Sequence, residues 1–302
     1  MGAVFLGSPA AAIPSLTALA DVDDVELVIT QPDRRAGRGK VVTSPPVKVA
    51  AQQFGFKVSQ PETRSDLESA LVRGDFQLGV VVAYGRILTP MMLQAVPLGF
   101  LNVHFSLLPR WRGAAPVERA IEAGDDKTGV SLMKIDEGLD TGPILGEIVT
   151  PIGPNETGGS LTSRLAFLGA TLIDDTVPEY LNNRRRPVPQ IASGVSHARA
   201  LTKSDAQLTA TLDAVAAARL VRAFHPRPVA WVETSAGPLR IHRARPTDAI
   251  GEPGEISLTG TKVIASFKRG SIELLTVQPS GKPRTGATAW MHGRRGDTFR
   301  FE

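Results

Sequence analysis

Five short, largely apolar runs rich in Val, Leu and Phe punctuate the first half of the chain, at residues 3–6, 25–30, 78–83, 100–104 and 130–133. Runs of this length with little polar alternation are what strands buried on both faces look like. Helical patterns lie between several of them, for example over residues 46–54 and 116–123. Strand–helix alternation predicts a doubly wound, mostly parallel α/β sheet of Rossmann-like type. Such a sheet binds ligands outside the carboxyl ends of its strands. The tight turn after the first run is Gly7-Ser8-Pro9, which lacks the glycine spacing of a dinucleotide fingerprint. A nicotinamide oxidoreductase is therefore disfavoured.

The pattern then changes. Leu161, Leu165, Leu168 and Leu172 recur at helical spacing, so residues 160–181 read as one amphipathic helix. Asn182-Asn183-Arg184-Arg185-Arg186-Pro187-Val188-Pro189 ends it with turn formers, charge and proline. A second helix is expected with Leu208, Leu212, Val215 and Leu220 on one side. Beyond it, short alternating runs at residues 229–233, 239–244, 262–267 and 272–278, separated by Gly and Pro, predict a small OB-like β-barrel. The expected organisation is a first domain over residues 1–181, a linker over 182–204 and a second domain over 205–302.

Composition narrows the function classes. Hydrophobic residues make up 42% of 302, enough for a sizeable core, which excludes global disorder. There are no cysteines, so disulfides, thiolate metal sites and a thiolate nucleophile are excluded. Residues 1–7 read as a first strand and not a signal peptide, and no apolar run reaches membrane-spanning length. A cytoplasmic protein without membrane attachment is expected, a monomer being the favoured state. Net charge is +4, but residues 203–302 hold 15 Lys and Arg against 9 Asp and Glu, a balance of +6, while residues 1–202 hold 19 against 21, a balance of −2. A surplus confined to the last third suits a polyanionic partner, although a solvated basic surface gives the same count.

The chemistry is concentrated at Asn102, His104 and Asp140. Residues two apart in a strand share a face, so Asn102 and His104 present an amide and an imidazole side by side. Asp140 lies in the loop Gly138-Leu139-Asp140-Thr141-Gly142, where a carboxylate can approach and orient that imidazole. A lone histidine beside apolar residues is more often structural, and a lone loop aspartate more often caps a turn. Together the three form a kit for acyl transfer through a charged intermediate. No metal-ligand cluster is visible: His197, His225, His242 and His292 are widely spaced and read as structural or surface residues.

Asn102-Val103-His104-Phe105-Ser106-Leu107-Leu108-Pro109, followed downstream by Leu139-Asp140-Thr141-Gly142, resembles the folate-dependent formyltransferases. The resemblance implies 10-formyltetrahydrofolate as co-substrate, no metal, and Asn102, His104 and Asp140 as the catalytic residues. The stretch from Val80 to Leu88 is similar to the family's pterin-receiving strand and loop, which implies Arg86, Ile87 and Leu88 as folate contacts, with Ser106, Leu107, Leu108 and Pro109. Two further stretches, Arg110-Trp111-Arg112-Gly113-Ala114-Ala115-Pro116 and Thr30 to Lys40, are similar to the branch of the family whose acceptor is initiator methionyl-tRNA. That branch implies a tRNA-contacting OB-like domain and a tRNA-entering loop carrying Arg34, Arg35, Arg38 and Lys40.

On its own, a run such as Arg34, Arg35, Arg38 and Lys40, with Gly37 and Gly39 between, is commonly a solvated loop. Here it follows the strand at 25–30, on the carboxyl edge of the proposed site, which favours a clamp on acceptor-stem phosphates. Arg38 is the strongest candidate; Arg184, Arg185, Arg186, Arg219, Arg222 and Arg227 are candidates for extending the track. Two rivals share some of these features. A formyltransferase for a small amine, such as glycinamide ribonucleotide or an amino sugar nucleotide, would keep the trio but have little use for the basic loop or tail. A tRNA-binding protein with a decayed catalytic domain would not need the trio.

Overall fold

Gly2–Gly7 (β1) is buried along its whole length, as its unbroken apolar sequence requires. The structure is a computed structural model that describes residues 2–36, 41–293 and 298–301. Two units are present: residues 1–113, 127–151 and 162–198 form the first, and residues 114–126, 152–161 and 199–302 the second.

In the first unit β1 is followed by Ile13–Val22 (α1), Val25–Ile29 (β2), the pair Arg34–Ala36 (β3) and Val41–Thr43 (β4), Pro46–Gln53 (α2), Val58–Ser59 (β5), Arg64–Arg73 (α3), Phe76–Val82 (β6), Pro90–Gln94 (α4) and Phe100–His104 (β7). The short strand Arg112–Gly113 (β8) leads to Pro116–Ala123 (α5), which belongs to the second unit. Lys127–Lys134 (β9), Ile144–Pro151 (β10), the helix Gly158–Leu181 (α6) and His197–Ala198 (β11) complete the set. The main sheet has the order β10-β9-β7-β6-β1-β2-β5. The chain winds outward from β1 through β2 to β5, then crosses to β6 and β7, so the strand order reverses between β1 and β6. The five strands from β5 to β7 are mutually parallel. The run at 130–133 lies in β9, which is antiparallel to β7 with His104 opposite Ser131. The chain re-enters the sheet at the end where β7 leaves it, so the next strand must run back.

Local chemistry explains the boundaries. Thr63 and Asp66 form a capping box that starts α3, and Gly124, at φ 78, ends α5. The leucine spacing that predicts the long helix is met by α6, with Leu161, Leu165 and Leu172 buried. One apolar cluster joins Val4, Leu6, Ile29, Tyr84, Met92 and Phe100 beneath the carboxyl ends of β1, β2 and β6.

In the second unit α5 packs on Ala214–Ala223 (α7). Trp231–Thr234 (β12), Gly237–Thr247 (β13), Glu255–Thr259 (β14), Lys262–Ser266 (β15), Ser271–Pro279 (β16), Thr285–Gly286 (β17), Ala287–His292 (α8) and Phe299–Arg300 (β18) follow. The sheet order is β12-β13-β16-β15-β14-β18, all antiparallel, and a bridge from Thr234 to Phe301 joins the two edges. The sheet thus closes into a small, nearly complete barrel. The expected second helix is corrected: it starts only after Asp213, whose side chain accepts from the Ala216 amide. Leu208 lies outside it, buried as a strand-like residue whose N–H donates to Trp231 O, and Val215 is exposed. Ala214, Ala217 and Ala218 make the buried face with Leu220 and Val221.

Candidate active site

β7 carries Asn102 and His104 toward its carboxyl end on one face, and the loop between β9 and β10 brings Asp140 to both. Asn102 Nδ2 donates to Asp140 Oδ1 at 3.5 Å, and His104 Nδ1 stands 3.6 Å from Asp140 Oδ2. His104 is buried. Its Nε2 lies 2.9 Å from the Trp111 carbonyl oxygen, which can only accept, so Nε2 carries a proton. A ring protonated at both nitrogens therefore finds an acceptor on either side. Asp140 Oδ2 also accepts the Gly113 N–H at 2.8 Å. Asp140 and Trp111 both hold left-handed backbone conformations, at φ 52 and φ 63, which non-glycine residues adopt at a cost that the surrounding contacts must offset.

The turn after β7 is built from the inside. Ser131 Oγ donates to Ser106 O at 2.8 Å and accepts the Leu108 N–H at 3.1 Å, and Ser106 Oγ donates to Arg110 O at 2.6 Å. Ser106, Leu108 and Pro109 are buried, and Leu107 packs where a side chain at Gly129 would otherwise sit. These four residues, expected among the folate contacts, form the turn that follows His104.

Of the remaining expected residues, Leu88 is buried in the apolar cluster and Ile87 is 76% exposed. The Arg86 guanidinium donates to Glu62 O at 2.9 Å and Thr63 O at 3.3 Å, which fixes the loop after β6 to the start of α3. Among the described residues, none hydrogen-bonds to the main chain of residues 85–88. Tyr84 beneath them is 2% exposed with an unpartnered hydroxyl, and burial raises its pKa. A cavity of about 380 Å³ adjoins this cluster, lined by Leu93, Gln94, Phe100, Ile135 and Asp136 among others; it does not reach Asn102, His104 or Asp140.

Arg34 and Arg35 are exposed on β3, with Arg34 donating to Gln31 Oε1 at 3.3 Å, whereas Arg38 and Lys40 lie outside the described residues. The base of this arm is anchored at Asp33. Its carboxylate accepts from Lys48 Nζ at 2.7 Å, Gln60 Nε2 at 2.8 Å and Ser44 Oγ at 3.1 Å, and the Lys48 bond leads in holding its pKa below the usual range. Gln31 Nε2 donates to Tyr84 O at 3.0 Å, tying the loop after β2 to the loop after β6.

In the second unit a cleft of about 610 Å³ is lined by Lys203, Arg227, Arg240 and Arg284, with His242 and Gln278 and, among the described residues, no carboxylate. His242 is the extra residue where the register between β13 and β16 shifts. Its side chain turns inward, 3% exposed, with Nε2 3.1 Å from Gln278 Oε1. Burial above all, and Arg284 after it, push the His242 and His225 pKa values down. Arg185 and Arg222 are committed elsewhere, Arg185 to Glu179 and Leu145 O and Arg222 to Glu156 O.

Sequence reasoning missed Trp111 O and Gly113 N, because main-chain groups leave no residue-type signal. It also missed Gln190, whose side-chain amide donates to both Asp140 O and Gly142 O. The only pointer was Pro187-Val188-Pro189, which favours an extended chain able to dock beside a strand end.

A mostly parallel sheet, a nearly closed antiparallel barrel and an Asn–His–Asp cluster at a strand's carboxyl end define a transferase fold joined to a β-barrel. The chain belongs to the formyl transferase family: residues 5–177 match Formyl transferase and residues 200–295 match Formyl transferase, C-terminal domain. The methionyl-tRNA formyltransferase of Halorhodospira halophila (strain DSM 244 / SL1) is 43% identical over 299 residues, covering 97% of this chain and 96% of that protein. The methionyl-tRNA formyltransferase of Xylella fastidiosa (strain 9a5c) is 44% identical over 304 residues, 98% of each. The N-formyltransferase from Helicobacter canadensis, solved with folinic acid and dTDP-3-aminofucose, shares the fold at a TM-score of 0.68 and 18% identity, over 90% of this chain and 98% of that one.

Proposed function

We propose that this chain transfers a formyl group from 10-formyltetrahydrofolate to the α-amino group of methionine on initiator tRNA, in the cytoplasm, for translation initiation. The observation that carries it is the convergence of Asn102, His104 and Asp140 at the carboxyl end of β7, in a chain more than 40% identical along its length to proteins named for this activity. The apolar floor around Tyr84 and Leu88, under a loop whose main-chain groups are uncommitted at residues 85–88, suits a flat heteroaromatic ring with polar edges.

Bound there, the co-substrate supplies an activated formyl carbon, and amine attack puts negative charge on the formyl oxygen. Asn102 Nδ2, held only by a long 3.5 Å contact, is the side-chain donor placed to meet that charge. His104 is anchored through Nε2 to Trp111 O and faces Asp140 through Nδ1. That anchor leaves Nδ1 as the ring nitrogen that faces Asp140. Asp140 Oδ1, the oxygen without a main-chain bond, is the acceptor side for the proton the amine must lose; the bond from the formyl carbon to the folate nitrogen then breaks, that nitrogen gains a proton, and tetrahydrofolate leaves.

The basic groups fit the acceptor. Arg34, Arg35, Arg38 and Lys40 form the acceptor-stem arm, and the cleft of Lys203, Arg227, Arg240 and Arg284 receives a phosphodiester of the same tRNA. Residues 182–204 connect the catalytic part, 1–181, to the tRNA-binding part, 205–302. A small-amine acceptor leaves the cationic cleft without a role. The test is incubation of the full chain with 10-formyltetrahydrofolate and charged initiator tRNA, followed by assay for N-formylmethionine. Product formation that Arg38→Ala weakens more at low salt than at high salt supports the reading. No product with any charged tRNA sinks it.

A further inference from the structure

The segment after α6 reads in sequence as a connection, yet it touches both loops that hold the His104–Asp140 pair. Val188 exchanges two main-chain hydrogen bonds of 2.8 Å with Ile144, just past the Asp140 loop. Ser196 takes the Trp111 N–H on its hydroxyl at 2.9 Å and the Arg112 N–H on its carbonyl at 2.9 Å, and β11 pairs with β8. Between these anchors stands Gln190. Its two amide protons go to Asp140 O at 2.9 Å and Gly142 O at 2.8 Å. Its Oε1 accepts from Arg112 Nη2 at 2.6 Å and Nε at 3.2 Å. The amide can face only this way, because the flipped form sets an oxygen against two carbonyls and an NH₂ against a guanidinium.

We propose that Gln190 is a positioning residue for the transfer reaction, holding Asp140 in its left-handed conformation against Asn102 and His104, with residues 188–198 as the back wall of the site. The assignment rests on the catalytic reading of Asp140 given above. Gln190 adds a second bridge between the two loops beside the Asp140 carboxylate: it ties the main chain of residues 140 and 142 to Arg112, whose neighbours Trp111 and Gly113 supply the acceptor for His104 and the donor for Asp140. Without the bridge, no other described side chain holds the Asp140 carbonyl, and the carboxylate is kept near the imidazole by the Gly113 N–H and the long Asn102 contact alone.

Gln190→Glu separates positioning from mere packing. The new carboxylate keeps, and strengthens, the contact with Arg112, but it has no proton for the carbonyls of Asp140 and Gly142. The expected result is unchanged thermal unfolding, unchanged KM for folate and tRNA, and a kcat lower by about 10²-fold, the size of loss that an ångström of misplacement brings. Gln190→Met, which keeps length but neither contact, should lose kcat to a similar degree and serves if the glutamate variant is unstable. Asp140→Asn and the double variant Asp140→Asn/Gln190→Glu complete a cycle. If Gln190 acts through Asp140, the double variant is no slower than Asp140→Asn alone. Wild-type kcat in both Gln190 variants, with Asp140→Asn inactive, overturns the inference and leaves the catalytic reading intact. An active Asp140→Asn overturns the catalytic reading itself. Losses that multiply in the double variant also overturn the inference, since Gln190 then acts by another route.

Discussion

Asn102, His104 and Asp140 differ in how firmly they are held, and that difference predicts how each fails. His104 and Asp140 are tied by main-chain partners, whereas Asn102 Nδ2 has only the 3.5 Å contact with Asp140. Asn102→Ala should therefore leave folate binding near wild type and lower kcat by about 10²–10³-fold, as loss of one pre-aimed donor does; equal loss of binding and turnover in fluorescence titration and steady-state assay would refute its role as a charge-stabilising donor. Gly113 is the second sensitive point. It adopts φ 119, and a β-carbon there would come 2.7 Å from Ala198 O. Gly113→Ala should lower unfolding free energy by about 1–3 kcal/mol and slow turnover as well, because its N–H is the 2.8 Å donor to Asp140. Denaturant titration that shows no loss would contradict the backbone argument. The three side chains were legible in the sequence because their types and spacing carry chemistry. Their supports were not, because Trp111 O, Gly113 N and the Gln190 amide act through geometry that only the folded loops create.

Elements were legible where periodicity was strong. The spacing of Leu161, Leu165 and Leu172 locates α6, and short apolar runs locate β1, β2, β6, β7 and four barrel strands. Reading failed where small residues do the packing: α7 buries Ala214, Ala217 and Ala218, so the larger Leu208 and Leu212 before it drew the helix too early. The direction of β9 was equally hidden, since an apolar run has no polarity. In the barrel, the bulge in β13 buries His242 with an unpartnered Nδ1. Its pKa is depressed in the fold, chiefly by burial, while the unfolded chain takes up a proton near the ordinary value of about 6.5. The stability it contributes is full above that value and is lost as pH falls through the folded pKa, because the unfolded state then binds the extra proton. Melting temperature should decline on acidification below about pH 6.5, and His242→Gln should flatten part of the decline, leaving the share of His225. An identical slope in the variant would show that His242 does not titrate on unfolding.

At the scale of the whole molecule, the charge division matters more than the net +4. The +6 balance of residues 203–302 includes a cleft whose lining holds four cations and, among the described residues, no acid. If phosphates occupy it, Arg227→Ala combined with Arg284→Ala should weaken tRNA binding and lower the slope of log affinity against log salt by about 0.7–0.9 for each phosphate no longer neutralised; a slope unchanged from wild type would take this cleft out of the tRNA path. Asn102, His104 and Asp140 belong to one unit and the cleft to the other, so the proposed function predicts that transfer to a tRNA-borne amine needs both, and transfer to a small amine only the first. The decisive measurement is the rate of formyl transfer from 10-formyltetrahydrofolate to methionine-charged initiator tRNA, with glycinamide ribonucleotide and free methionine as parallel acceptors. Transfer to the charged tRNA alone is the predicted result. Transfer to a small amine and not to tRNA would leave Asn102, His104 and Asp140 in place and contradict the role given to the basic arm and cleft.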